Sequence, residues 1–387
     1  MTIKNLEGNK SELGVYRQLQ ETLDEMPKGF PSTESGVEIR LLKRLFTPEE
    51  AKIASKLKFH WKDWESLESI YKRLKPLGYS KDELENYLDS MINKGAIWGR
   101  KEGDKKLYSL ALLIIGIYEF QVNKLTKEFL EDFNLYMQEA WGENAQKIAI
   151  PQMRTIPIGL NLEHDVGIAN YNDIKQLFEI VEGPFSIINC ICRQASDLLG
   201  EPCQITSRRE VCMGFGHMAK SYNDAGWGRE ISKEEAFEIL KKNEEEGLIF
   251  RPGNSQKIDF LCSCCTCCCG IKGLKQLPNP ADFVTTDYYA EVDPDLCTGC
   301  GNCINRCQMD AISLVDDISI INRKRCIGCG NCVFVCQDDA VQLKKKESQH
   351  TLPMKGTDLY NEITKVGSKL KAKELRKKER REKRAVI

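Results

Sequence analysis

The residues of this chain with the most chemistry to offer are its eighteen cysteines, all of which lie between Cys190 and Cys336. Thiolates act as nucleophiles, disulfide partners or metal ligands, and compartment and spacing decide among these roles. The N-terminus, MTIKNLEGNK, has no apolar signal core, and the longest apolar run, Leu110 to Ile117, is far too short to span a bilayer. The expected location is therefore cytoplasmic. Thiols stay reduced there, and clustered thiols read as metal ligands rather than disulfides.

Eight of the cysteines form an internal repeat. Cys297-x2-Cys300-x2-Cys303-x3-Cys307 recurs as Cys326-x2-Cys329-x2-Cys332-x3-Cys336, with nearly identical loops CTGCGNC and CIGCGNC. A C-x2-C-x2-C loop supplies three thiolates to one [4Fe-4S] cube, and Gly299, Gly301, Gly328 and Gly330 let the backbone wrap it. A zinc ribbon pairs two short C-x2-C knuckles instead of four-cysteine runs, so the spacing favours iron–sulfur over zinc. These residues resemble the bacterial dicluster ferredoxins over about residues 288–343. The resemblance implies crossed ligation, in which the fourth cysteine of each run serves the other cluster. One cluster would then take Cys297, Cys300, Cys303 and Cys336, and the other Cys326, Cys329, Cys332 and Cys307. Gln308 and Gln337 stand where that family has proline. Proline there shapes the backbone without ligating, so the ligand set is untouched while hydrogen bonding to sulfur can differ.

The other ten cysteines are irregularly spaced. Phe185 to Cys192 is apolar and β-branched, hence strand-like, and residues two apart on a strand share a face. Cys190 and Cys192 are thus expected to point together at one site. Cys203 and Cys212 follow, and then six cysteines in eight residues: Cys262, Cys264, Cys265, Cys267, Cys268 and Cys269. If that run is extended, Cys262, Cys264 and Cys268 share one face and Cys265, Cys267 and Cys269 the other. The simplest grouping puts Cys190, Cys192, Cys203 and Cys212 on one cube, with a second drawing on 262–269. Exchange of ligands between the segments, and one larger iron–sulfur assembly, remain open. Taken singly, Cys203 or Cys212 also reads as a buried inert thiol.

The elements that must position these ligands divide the 387 residues into four regions: 1–150, cysteine-free and helical; 151–285, the cysteine-rich middle; 286–345, the repeat; and 346–387, a basic tail. From Lys365 onward the tail carries net charge +8 in a chain whose overall charge is -1. Thr47-Pro48-Glu49-Glu50 and Ser80 with Glu83 are capped helix starts, and Trp64 to Leu74 reads as a helix between them. Residues 96–100 and 106–110 read as a hairpin around Glu102-Gly103-Asp104, and Ser232 with Glu235 opens another helix that stops at Gly247. The expected fold class is α+β: a winged-helix-like N-terminal domain, an α/β cysteine-rich middle domain and a ferredoxin-like 2[4Fe-4S] C-terminal domain. With 41% hydrophobic and 29% charged residues, the chain is neither collagen, coiled coil nor wholly disordered.

The whole chain also resembles a group of iron–sulfur proteins from anaerobes. That group joins a winged-helix-like N-terminus, a CICR segment (here Cys190 to Arg193), a C-x-C-C-x-C-C-C segment (Cys262 to Cys269) and a C-terminal dicluster ferredoxin. The resemblance implies an architecture and an oxygen-poor setting more than a reaction.

The remaining candidates are few. None of His60, His164, His217 and His350 sits in a zinc-protease pattern. His217 lies near Cys212, where it reads as a ligand or, more simply, as a satisfied histidine. Arg193 could bond a cluster sulfide or form a surface ion pair. There is no phosphate loop, and Gly214-x-Gly216 lacks the rest of a dinucleotide fingerprint. Any catalysis would therefore run through a cluster, and the catalytic residues are unknown. The helix expected at 80–94 carries Asp82, Glu83, Glu85 and Asp89, which face like charge on DNA phosphates. The tail reads as a solvated helix or a disordered arm, able to dock an acidic redox partner or nucleic acid. The expected function is electron transfer through [4Fe-4S] clusters to or from a partner oxidoreductase. The alternatives are a cluster-dependent reductase and a redox-sensing regulator. The expected cofactors are two [4Fe-4S] clusters in the repeat and one or two further iron–sulfur clusters in the middle region.

Overall fold

The computed structural model describes residues 3–59, 61, 64–158, 174–347 and 350–385. Backbone contacts divide the chain into two units, Met1–Ile150 with Thr357–Ile387, and Pro151–Gly356.

The first unit opens with α1 (Ile3–Asp24), α2 (Val37–Leu45) and α3 (Pro48–Ala54), followed by β1 (Glu65–Ser66), α4 (Leu67–Leu74), α5 (Lys81–Lys94), β2 (Ile97–Glu102) and β3 (Lys105–Leu110). Thr47 and Ser80 each close a reciprocal capping box, with Glu50 and Glu83. The helix expected from Trp64 starts later. Residues 65–66 pair with β3 instead, and Ser66 caps α4 by accepting from the Ser69 N–H. The sheet order is β1-β3-β2, antiparallel throughout. Trp98 on β2 meets Trp64 and Phe120, with ring centroids 5.5 and 4.3 Å away. Two more helices, α6 (Lys127–Tyr136) and α7 (Gly142–Lys147), complete the N-terminal stretch.

Pro151–Gly356 begins with α8 (Ile174–Ile180), β4 (Phe185–Asn189), α9 (Ile191–Leu198), β5 (Glu210–Phe215), α10 (Gly216–Asp224), β6 (Gly228–Ile231), α11 (Lys233–Glu245), β7 (Ile249–Pro252), β8 (Phe260–Cys264) and α12 (Ile271–Lys275). The strands form a five-stranded sheet, β6-β4-β5-β8-β7. Every pairing is antiparallel. The middle region is therefore α+β and not the α/β arrangement expected of it, because its neighbouring strands run in opposite directions even where helices connect them. One face packs Phe178, Phe185, Phe215, Phe250 and Leu261 into an apolar core. The same unit continues through β9 (Tyr288–Val292), α13 (Asn302–Arg306), β10 (Ile312–Val315), β11 (Ile318–Ile321), α14 (Asn331–Phe334) and β12 (Val341–Lys345). Here β9 pairs β12, and β10 pairs β11. A second core joins Cys190, Cys264, Cys265 and Cys269 to Cys303, Cys326, Cys332, Met309 and Ile327.

The last element, α15 (Gly356–Ala385), belongs to the first unit. Its opening turns bury Leu359, Tyr360 and Ile363, and Tyr360 packs 4.3 Å from the Trp61 ring. The tail is thus docked at its start, while the described side chains of 372–380 are exposed. Among the described residues, no helix is long and apolar enough to cross a membrane.

Candidate metal centres

In the repeat, each C-x2-C-x2-C loop leads into a short helix whose N-terminal cap is a left-handed glycine, Gly301 for α13 and Gly330 for α14. The loop conformation demands glycine at Gly328 too. Its φ is +65°, and a Cβ there would collide with the Tyr288 carbonyl. Cys303 and Cys332 sit on the helices, and Cys307 ends α13. Cys307 comes from the first repeat, yet it lines the same cavity as Cys326, Cys329 and Cys332 of the second, with Met309 and Ile327 closing the apolar wall. Burial pushes the Cys329 thiol up to about 12 and raises Cys332 and Cys307 as well. Such thiols ionise at neutral pH only against a cation, which fits a metal cluster. Backbone N–H groups of Ala311 and Ala290 donate to the sulfurs of Cys307 and Cys326, each at 3.4 Å. In the other half, Cys297 accepts from the Ser319 N–H at 3.5 Å and Cys303 lies 3.3 Å from the Ser319 hydroxyl. The N–H groups of Ser319 and Gly299 hold the Cys297 thiol below its ordinary pKa. Cys300 is exposed, and Cys336 lines an open groove with Arg306 and Phe334.

The ten irregular cysteines converge, though not in the expected grouping. β4 ends at Asn189. The Cys190 N–H bonds the Arg209 carbonyl while the Cys190 carbonyl accepts from Gln194, so the chain turns into α9. Cys190 caps that helix and Cys192 sits in its first turn, on a helix where a strand was expected. The run at 262–269 is likewise not extended throughout. β8 stops at Cys264, and the Cys269 N–H turns back to the Cys265 carbonyl. Two sets result. Cys190, Cys192 and Cys269 lie with all their sulfurs within 4.8 Å of one another. Cys203, Cys265, Cys267 and Cys268 do the same. Cys203 therefore leaves the set anticipated for it, because its loop reaches over the 265–268 turn. Cys212, Cys262 and Cys264 lie near enough to act electrostatically on this set, Cys212 on Cys190 and Cys262, and Cys264 on Cys262.

Among these crowded thiols, the neighbouring Cys192 holds Cys190, and Cys262 holds Cys264, well below the ordinary thiol pKa. Cys192 is pushed up in turn by Cys190, and Cys262 by Cys212 and Cys264. Crowded thiols thus share few negative charges, and metal binding would displace the remaining protons. Arg193 is fully buried, not a surface residue. Its Nε and Nη2 donate to the sulfurs of Cys203 and Cys265, each at 3.4 Å, and its Nη1 donates to the Ser263 carbonyl at 3.0 Å. Burial opposes its charge, but the thiols Cys190 and Cys269 outweigh it and raise its pKa. His217 pairs with Asp259 at 3.2 Å and His350 with Asp287 at 2.9 Å, so neither is drawn into a sulfur set. His60 and His164 lie outside the described residues.

Sequence reasoning missed two supports. Asn243 is buried and donates to the Val211 carbonyl and, at 2.8 Å, to the Ser263 hydroxyl, which fixes β8 beside Arg193. No sequence signal marks it. Gln308, visible only as a departure from proline, accepts from the Thr266 N–H at 2.9 Å and donates to the Gly247 carbonyl at 2.5 Å. It thereby ties the residue after Cys307 to the turn between Cys265 and Cys267.

A family model described as a 4Fe-4S dicluster domain matches residues 289–337. The C-terminal region carries a dicluster ferredoxin domain. A probable ferredoxin of Methanosarcina thermophila is 61% identical over 28 residues, which are 7% of this chain and 48% of that protein. The chain thus spans about half the length of the curated relative it matches. No solved structure matches. The ferredoxin domain and the two sulfur sets together gather thiols of the kind that bind iron–sulfur clusters or other metal centres.

Proposed function

We propose that this protein passes low-potential electrons, one at a time, between its clusters and a partner oxidoreductase in the cytoplasm of an oxygen-poor cell. The observation that carries the reading is the cavity shared by Cys307 with Cys326, Cys329 and Cys332. It supports crossed ligation of one cluster by these four residues and of the other by Cys297, Cys300, Cys303 and Cys336. The clusters supply one-electron redox chemistry. The chain holds the thiolates, donates backbone N–H bonds that tune their potential, and seals the inner site with apolar side chains. The ten middle thiols are further iron–sulfur ligands, and the exposed Cys300 marks the side from which a partner reaches the outer cluster.

In this reading the N-terminal helices and hairpin are a winged-helix-like module used for protein contacts. Lys106 spends its charge on Glu85 and Asp89 of α5, at 2.8 and 2.6 Å, which leaves that helix a poor surface for phosphates.

The test is anaerobic reconstitution of the full chain, iron and sulfide analysis, and EPR of the dithionite-reduced protein. Reduced [4Fe-4S] signals and one-electron exchange with a ferredoxin-type partner are expected, with duplex DNA bound only weakly at physiological salt. Bound zinc without EPR signals would sink the electron-transfer reading. Tight, salt-resistant DNA binding that changes on oxidation would replace it with a regulator.

A further inference from the structure

Four of the middle thiols are packed as a mesh and not as pairs. The Cys203 sulfur lies 3.6 Å from those of both Cys265 and Cys267. Cys265 lies 3.0 Å from Cys268 and 3.4 Å from Cys267, and Cys267 lies 3.9 Å from Cys268. All four sulfurs fall within 4.8 Å of one another. Each therefore touches at least two others, whereas disulfide partners face each other singly.

These separations select among metal centres. The four thiolates of a [4Fe-4S] cube each bind a different iron and are held apart by the cube between them. Sulfurs in mutual contact leave no room for it. Four thiolates on one ion stand closer, because a bond of about 2.3 Å to each sulfur sets the edges of the tetrahedron at about 3.8 Å. The separations of 3.0 to 3.9 Å bracket that edge. The chain also fixes the ligands from two directions. Cys265, Cys267 and Cys268 come from one turn, closed by the bond from the Cys269 N–H to the Cys265 carbonyl and held from outside by Gln308, which accepts from the Thr266 N–H. Cys203 arrives from the loop after α9, and the Arg193 Nε and Nη2 tie its sulfur to that of Cys265 by donating to both at 3.4 Å. Cys265 is buried and the other three are half-buried, so an ion reaches them from solution without opening the core.

We infer that Cys203, Cys265, Cys267 and Cys268 bind a single thiophilic metal ion, iron or zinc, as a tetrahedral tetrathiolate with no inorganic sulfide. All-sulfur tetrahedra suit both ions. This rests on the reading that the middle thiols are metal ligands, and narrows it for these four from a cluster to one ion.

The experiment uses the full chain, reconstituted anaerobically with iron, zinc and sulfide and stripped of loosely held metal with a chelator. Total bound metal is then compared with acid-labile sulfide. A [4Fe-4S] cluster carries equal numbers of both, so clusters alone give a ratio of about one. Metal should exceed sulfide by at least about one equivalent per chain. Equal amounts would overturn the single ion without any variant having to fold. Cys203→Ser with Cys268→Ser should lose about one metal ion and no sulfide, with the EPR signals of the repeat unchanged. Loss of about four irons with about four sulfides would place a cube on these thiols, and no loss of metal would mean that they bind none. Either result overturns the inference. Analysis of the metal lost names the ion: iron keeps these four thiols within the iron–sulfur reading, whereas zinc removes them from it and leaves the single-ion site standing. Absence of sulfide from the whole chain would sink the cluster reading, while loss of one ion in the variant would still support the site.

Discussion

Cys307→Ser is expected to abolish the same cluster as Cys329→Ser, although the two residues lie in different repeats. Each variant should lose about four irons and one reduced EPR signal, because one cube with a missing corner ligand is lost as a whole. Cys336→Ser, in turn, should remove the cluster served by Cys297, Cys300 and Cys303. The expectation rests on the cavity that gathers Cys307 with Cys326, Cys329 and Cys332, and on the Ala311 N–H that aims at the Cys307 sulfur. The inner site is apolar and buried, so an oxygen ligand from serine or water compensates poorly there. The check is iron content with EPR on the three single variants. If Cys307→Ser spared the Cys329 cluster and removed the other one, the ligation would be uncrossed and each repeat would serve its own cluster.

Arg193→Met should be the most damaging change outside the cysteines. Methionine keeps an unbranched apolar stem but carries no charge, which leaves the sulfurs of Cys203 and Cys265 without their buried cation. Removing one partner of a buried ionic network typically costs about 3–5 kcal/mol, because the remaining charges are neither solvated nor paired. Two N–H···S bonds and the bond to the Ser263 carbonyl disappear with it. Anaerobic denaturant unfolding, followed by the loss of iron–sulfur absorbance, measures the change. A loss under about 1 kcal/mol, the scale of an exposed ion pair, would mean that the arginine is not balancing anionic sulfur.

The repeat was legible from spacing alone, because ligation to one cube fixes local intervals of two and three residues that no packing argument requires. Capped helices were legible for the same reason: Thr47 with Glu50 and Ser80 with Glu83 satisfy backbone donors within one turn. The middle sets were not legible, since their members come from α9, β5, β8 and two loops, and only tertiary packing brings these together. Period-two reasoning failed at Cys192 and beyond Cys264, where the chain leaves the strand for a turn. Arg193 was visible as a neighbour of cysteine, but its burial was not, because nothing local distinguishes an arginine among sulfurs from one in water. The purpose of Gln308 needed its partner Thr266, forty-two residues earlier in the chain.

The core that mixes cysteines of the middle region with those of the repeat bears on how the chain ripens in the cell. Gln308, Asn331 and Arg306 all bond the end of α11 and the turn after it, and Arg325 bonds the carbonyls of Lys275 and Leu277. No cut near residue 286 separates these partners without exposing sulfur-rich interior, so neither half is expected to mature alone. Much of that interior is thiol, and in a chain starved of iron it lacks the inorganic mass that would make it solid. Residues 151–356 should then be the segment that proteases find. Trypsin applied to iron-depleted protein should degrade that stretch while the helices of residues 1–150 survive, and iron loading should protect both. Equal resistance with and without iron would show that the sulfur core closes on its own.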